Sequence, residues 1–195
     1  YNENIISWAS PATHDDGITL VADVIRQHVT KGGSLGMLMG RETAVRMPLA
    51  DLFALQQRLG AIHLRDMTAD IQQIRMVKSP AEQAKLRHIC GIVSDVFAHV
   101  PAWLQASMPF DDCFRRFKID ALERGVDDVS YLVGGVGAGG YDDIIGPPVS
   151  KSLATGDVLM FDTGCVWDGY FSDFDRNFGI GSASTEAQDA HKKLF

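Results

Sequence analysis

The stretch that most constrains this chain is FDTGCVWDGYFSDFDRNF, residues 161–178. Asp168-Gly169 is a two-residue turn signal, because the tight hairpin turn needs positive φ at both central residues. Aromatic and β-branched residues flank it, so the segment is predicted to form a β-hairpin. With that dipeptide at the tip, Trp167 pairs with Tyr170, Val166 with Phe171, Cys165 with Ser172, Gly164 with Asp173, Thr163 with Phe174 and Asp162 with Asp175. Alternation then puts Asp162, Gly164, Val166, Phe171, Asp173 and Asp175 on one face. Asp162 and Asp173 become diagonal neighbours, roughly 7–8 Å apart, and Gly164 leaves room between them. Asp175 lies directly opposite Asp162, where like charges destabilise a sheet. Either a cation neutralises the cluster or one carboxyl keeps its proton. The plainer alternative is a solvated edge without a ligand.

The rest of the chain supplies a frame. SLGMLMG (34–40) and AIHLRDMT (61–68) read as strands, and PLADLFALQQRLG (48–60) reads as a helix closed by Gly60. This is α/β organisation. Ser79, Pro80 and Glu82 then form a helix start signal. Leu86, Ile89, Cys90, Val93, Val96, Phe97 and Val100 follow as one apolar stripe, and Pro101 is expected to end or kink that helix. A second helix is predicted over 111–124, with Gly125 after it. A strand follows and runs into a glycine-rich loop, GGVGAGG (134–140). A last helix starts at Ser184 or Thr185. The domain boundary falls near residue 77, giving units of 1–76 and 77–195.

Composition narrows the function classes. The chain is 46% hydrophobic with a formal net charge of -7 and a pI near 5.2. An acidic surface argues against nucleic acid or an anionic membrane as the main partner, and no apolar run reaches the ~18 residues of a membrane span. Cys90, Cys113 and Cys165 are widely spaced without a CxxC pair, which suits free thiols in a reducing, cytoplasmic setting. The glycine run lacks the Lys-Ser/Thr ending of a phosphate loop. Trp8, Trp103 and Trp167 read as packing residues, and His88, His99 and His191 read as surface histidines. Ser150, Ser152 and Ser172 show no His/Asp partner pattern.

GDVLMFDTGCVWDGYFSDFDRNF resembles the first metal-binding hairpin of the pita-bread metallohydrolases, the superfamily of creatinase, aminopeptidase P and methionine aminopeptidase. Asp162 and Asp173 match its two ligand aspartates in type and in their spacing of eleven, and Arg176 matches its trailing Arg. IRMVKSPAEQAKLR is similar to the start of the catalytic domain in the creatinase and prolidase-like branch. The fold this implies is α/β (α+β). Residues 1–76 would end a creatinase-type N-terminal α/β domain, and 77–195 would form the first half of a pita-bread catalytic domain. The implied enzyme is a hydrolase resembling Xaa-Pro aminopeptidase or dipeptidase. Two divalent ions would activate a bridging water to cleave an amide of a small peptide. Asp162 would chelate one ion and Asp173 would bridge both. Mn²⁺ is the expected metal, with Co²⁺, Fe²⁺ or Zn²⁺ as alternatives. A homodimer is the expected assembly.

Three departures qualify this reading. The family completes its site with a His and two Glu on later strands, so the chain is expected to be a piece of a longer protein; it also opens on Tyr1 rather than Met. Ile145 stands where the family usually has a substrate-contacting His, seventeen residues before Asp162. Tyr141, Asp142 and Asp143 are the nearby candidates for lining a substrate pocket. Asp175 replaces the usual Thr and is expected either to support the ligands from outside or to act as an extra one. A creatinase-like hydrolase of a small non-peptide amide, or a non-catalytic binding module, are the alternative functions.

Overall fold

A computed structural model describes residues 5–194. The chain divides into two compact units, Tyr1–Val77 and Lys78–Phe195.

In the first unit, α1 (Ile18–His28) is followed by β1 (Ser34–Met37), α2 (Leu49–Leu59), β2 (His63–Asp66) and α3 (Thr68–Met76). β1 and β2 pair in parallel across the α2 connection. Apolar residues recur on the inner faces of α1 and α2, and Ile18, Ala22, Leu55, Leu59 and Ile62 form a small core. Gly60 ends α2 at φ 60. β1 stops short of the strand expected over 34–40. The reason is Thr68, whose hydroxyl accepts from Met39 N–H at 3.0 Å and Gly40 N–H at 2.8 Å. The Thr68 hydroxyl itself donates to Asp66 Oδ1 at 2.6 Å. Helix α3 had no counterpart in the sequence reading.

The second unit begins with α4 (Pro80–Trp103). Its capping box forms: Glu82 N–H donates to Ser79 Oγ at 3.3 Å, and Ser79 N–H donates to Glu82 Oε2 at 2.7 Å. Pro101 does not end the helix. It sits in the last turn, and Leu104 N–H closes that turn on the Val100 carbonyl at 3.0 Å. α5 (Phe110–Glu123) ends before Gly125, whose φ of 99 suits a glycine after a helix. Four strands follow: β3 (Asp128–Ala138), β4 (Asp157–Trp167), β5 (Tyr170–Phe171) and β6 (Phe174–Gly179), all antiparallel to their neighbours. α6 (Thr185–Leu194) closes the chain, with Ser184 Oγ accepting from Ala187 N–H at 3.2 Å.

One face of this sheet is apolar and packs on α4 and α5. Ile89, Val93, Val96, Phe97 and Val100 of α4 meet Phe110, Phe114 and Phe117 of α5 and Leu132, Leu159 and Phe161 of the sheet. Phe114 stands edge-on to Phe161 with ring centroids 5.3 Å apart. Each such buried apolar side chain contributes about 1.5–3 kcal/mol. The glycine run is mostly strand, not loop, since β3 continues to Ala138. A Cβ on Gly135 would collide with the Asp143 carbonyl, and one on Gly137 with the Gly140 carbonyl. The glycines are there because residues 139–146 fold back over the other face of the sheet.

Candidate functional site

That other face carries the aspartates. The hairpin forms in the expected register, with Asp168 and Gly169 at φ 46 and 77. Trp167–Tyr170 and Val166–Phe171 pair at the tip. Thr163–Phe174 and Asp162–Asp175 pair in the stem. The returning strand is broken at Ser172 and Asp173, between β5 and β6. Ser172 N–H still donates to the Cys165 carbonyl at 2.9 Å, but Cys165 N–H is taken by the Ser172 hydroxyl at 3.3 Å. A side-chain oxygen thus stands in for a ladder carbonyl, and the backbone is released where Asp173 sits.

The space expected at Gly164 is filled. Tyr131 of β3 is the cross-strand partner of Gly164. Its ring lies so close over Gly164 that a Cβ there would collide with it. From that position the Tyr131 hydroxyl reaches Asp173 Oδ1 at 2.7 Å and Asp162 Oδ1 at 3.2 Å. One phenolic proton is shared between two carboxylates. Burial pushes the Asp162 carboxyl above the usual range; the Tyr131 bond opposes this, and the charges of Asp173 and Asp175 add to it. Burial, then the bond to Asp173, drives the Tyr131 phenol strongly upward, so it keeps its proton and acts as a donor. Among the described residues no cation pairs with either carboxylate.

Asp175 stands opposite Asp162 but does not share the Tyr131 hydroxyl. Among the described residues, no group of three or more His, Cys, Asp or Glu side chains is placed to hold a metal. The two carboxylates that meet are therefore Asp162 and Asp173. Tyr141 does join the site face: its hydroxyl donates to Asn177 Oδ1 at 2.7 Å. Asn177 pairs with Met160, two residues along β6 from Asp175. Burial raises the Tyr141 phenol, and the charge of Asp175 pushes the same way. Asp143 instead accepts from Ile145 N–H at 3.0 Å in a local turn, and Asp142 is exposed. Ile145 is 73% exposed. It lines a groove of about 570 Å³ together with Val133, Pro147, Pro148 and the α5 residues Arg115 and Lys118.

The histidines divide. His191 lies on an exposed face of α6. His88 packs its ring 4.3 Å from that of Trp167. His99, read as a surface residue, instead places Nδ1 2.8 Å from Oδ2 of the buried Asp120. Helix periodicity could not announce this, because the partner comes from α5. Trp8 is half-exposed, with Nε1 donating to Asp16 Oδ1 at 2.9 Å, so it packs less than expected. Tyr131 and Asn177 were not singled out from sequence at all. The usable signal was Gly164: a glycine inside a strand marks the close approach of another group.

Residues 84–194 match the model of metallopeptidase family M24. The chain belongs to that family. An uncharacterised peptidase of Staphylococcus haemolyticus is 23% identical to this M24 chain over 138 residues, covering 69% of it and 38% of the relative. The X-Pro aminopeptidase of Thermotoga maritima superposes with a TM-score of 0.74 at 20% identity, over 91% of this chain and 48% of that one. A recombinant prolidase from Thermococcus sibiricus superposes with a TM-score of 0.76 at 20% identity, over 98% and 50%. The M24 chain thus has the mixed α/β fold of these proteins, and it spans about half the length of the solved ones.

Proposed function

We propose that this chain supplies the first two metal-ligating carboxylates, Asp162 and Asp173, of an amide-cleaving M24 metallohydrolase. The observation that carries the reading is their meeting at the Tyr131 hydroxyl with no cation among the described residues to balance them. Two like charges held this close repel each other, and their oxygens suit a divalent cation. Asp162 would chelate and Asp173 would bridge two ions, Mn²⁺ first among the candidates. When bound, the ions lower the pKa of a water and polarise the scissile carbonyl. The chain's own share is orientation. Tyr131 keeps its proton and fixes one oxygen of each carboxylate, leaving the other free. Residues 1–76 would belong to the N-terminal α/β domain and 77–195 to the first half of the catalytic domain.

The substrate would be a short peptide of the Xaa-Pro type or a compact amide. Ile145 favours giving the compact amide weight, since an aliphatic side chain can neither donate to nor accept from a substrate. The test is metal analysis of the full protein and of its Asp173→Ala variant, with a hydrolysis screen over Xaa-Pro dipeptides and small cyclic or N-methylated amides. The variant is expected to lose bound metal and activity together. Equal metal content in the two proteins would remove the bridging role of Asp173.

A further inference from the structure

The helix start signal at Ser79–Glu82 does more than begin α4. Glu82, Lys85 and His88 recur every three residues, so they share one helix face. All three reach the hairpin tip. Glu82 Oε2 is used by the capping box, and its Oε1 accepts from the Tyr170 hydroxyl at 3.0 Å. Lys85 Nζ stands 2.6 Å from Asp168 Oδ2 and 5.2 Å from the Tyr170 ring centroid. His88 packs on Trp167. From the other side, Asp127 Oδ2 accepts from Asp168 N–H at 2.6 Å. Trp167, Asp168 and Tyr170 of the tip are therefore each held by side chains outside the hairpin.

This matters because the strand that follows the tip is weak. β5 is two residues long, and the ladder is interrupted at Ser172 and Asp173 before β6 resumes. A strand that short has little stability of its own. The path of Asp173 is thus set by the hydrogen bonds between Ser172 and Cys165 and by its two flanks: β6 on one side and the tip on the other. Tyr170 lies three residues from Asp173 on that path.

We infer that Glu82 and Lys85 are positioning residues: by holding Tyr170 and Asp168 on α4, they fix where Asp173 meets Asp162 at the metal site. The inference rests on the reading of Asp162 and Asp173 as metal ligands. Glu82 and Lys85 contact the hairpin tip and would act on the site through it.

The experiment is titration of the metal-free full protein with Mn²⁺ by calorimetry, for wild type, Tyr170→Phe, Lys85→Met and Asp173→Ala, each checked for folding by its thermal midpoint. Tyr170→Phe and Lys85→Met are expected to weaken Mn²⁺ binding about tenfold, the lower end of what outer partners of metal ligands cost. Lys85→Arg, which keeps the charge on Asp168, is expected to recover most of it. A lowered thermal midpoint with unchanged Mn²⁺ affinity in both variants would make the clamp merely structural and overturn the inference. Asp173→Ala separates the two layers. If it loses Mn²⁺ while the clamp variants bind normally, only the clamp is wrong. If it binds Mn²⁺ like wild type, the ligand reading fails and the clamp's role falls with it.

Discussion

Two acidic sites in the second unit solve opposite problems. Asp120, on α5, is buried, with its side chain 6% exposed, and it is fully countered. His99 Nδ1 stands 2.8 Å from one oxygen and Arg124 Nε 3.0 Å from the other. Asp162, half-buried, and Asp173, exposed, are also drawn together, but among the described residues the group bonded to both is a neutral phenol. A carboxylate inside a protein needs opposite charge or several donors. The first site contains its own countercharge and is complete. The second has no countercharge among the described residues. On the proposed reading, the difference separates an acid that holds helices together from a pair of acids that would hold a metal.

The same substitution at the two sites should therefore act with opposite signs. The larger effect is at Asp120. Asp120→Asn keeps the shape but removes the charge, and its amide N–H₂ must replace one of the two oxygens that His99 and Arg124 meet. We expect a loss of about 2 kcal/mol, discounted because His99 and Arg124 are each about one-third exposed and can turn to water. Urea denaturation of the metal-free protein reads it. Asp173→Asn is the smaller effect and the informative one. It removes one of two unbalanced charges, while its Oδ1 can still accept from Tyr131. The metal-free fold should gain about 0.5–1 kcal/mol even though, on the proposed reading, metal binding would be lost. A destabilised Asp173→Asn protein would mean that the pair is balanced within the fold, and the contrast with Asp120 would collapse.

The hairpin half of this contrast was legible in the sequence because its information is local. A two-residue turn fixes the register of everything around it, so Asp162, Asp173 and Gly164 could be placed by counting from Asp168-Gly169. The α4 stripe and its capping box were legible for the same reason. What could not be read are contacts between segments far apart in the chain. Tyr131 lies 31 residues before Asp162, and the β3–β4 register passes through an irregularity between Val129 and Tyr131. No local rule fixes which β3 residue faces Gly164. His99 likewise reads as one more surface histidine until α4 and α5 are packed and Asp120 meets it. The break at Ser172 escaped because a hydroxyl replacing a ladder carbonyl leaves no mark on the alternation of side chains.

Glu82 offers a third arrangement and the finest test of the comparison. It is a half-buried carboxylate held by neutral donors. Its carboxyl lies below the usual range, first through the Ser79 N–H, then the Ser79 hydroxyl, then Tyr170. For a carboxylate depressed on folding, the stability it contributes is present above its unfolded pKa and is lost as pH falls through the folded one. Tyr170→Phe removes one of the three donors and leaves the capping box. The Glu82 midpoint should then move up toward an ordinary glutamate without reaching it. The stability difference between wild type and variant should also disappear at pH values below both midpoints. Carboxyl-resolved NMR titration of the two proteins measures the first expectation, and urea denaturation across the acid range measures the second. Identical Glu82 midpoints would show that the Tyr170 hydroxyl does not hold this carboxylate in solution. Neutral donors would then be too weak to fix a half-buried acid, and balance of the kind seen at Asp120 would require a cation.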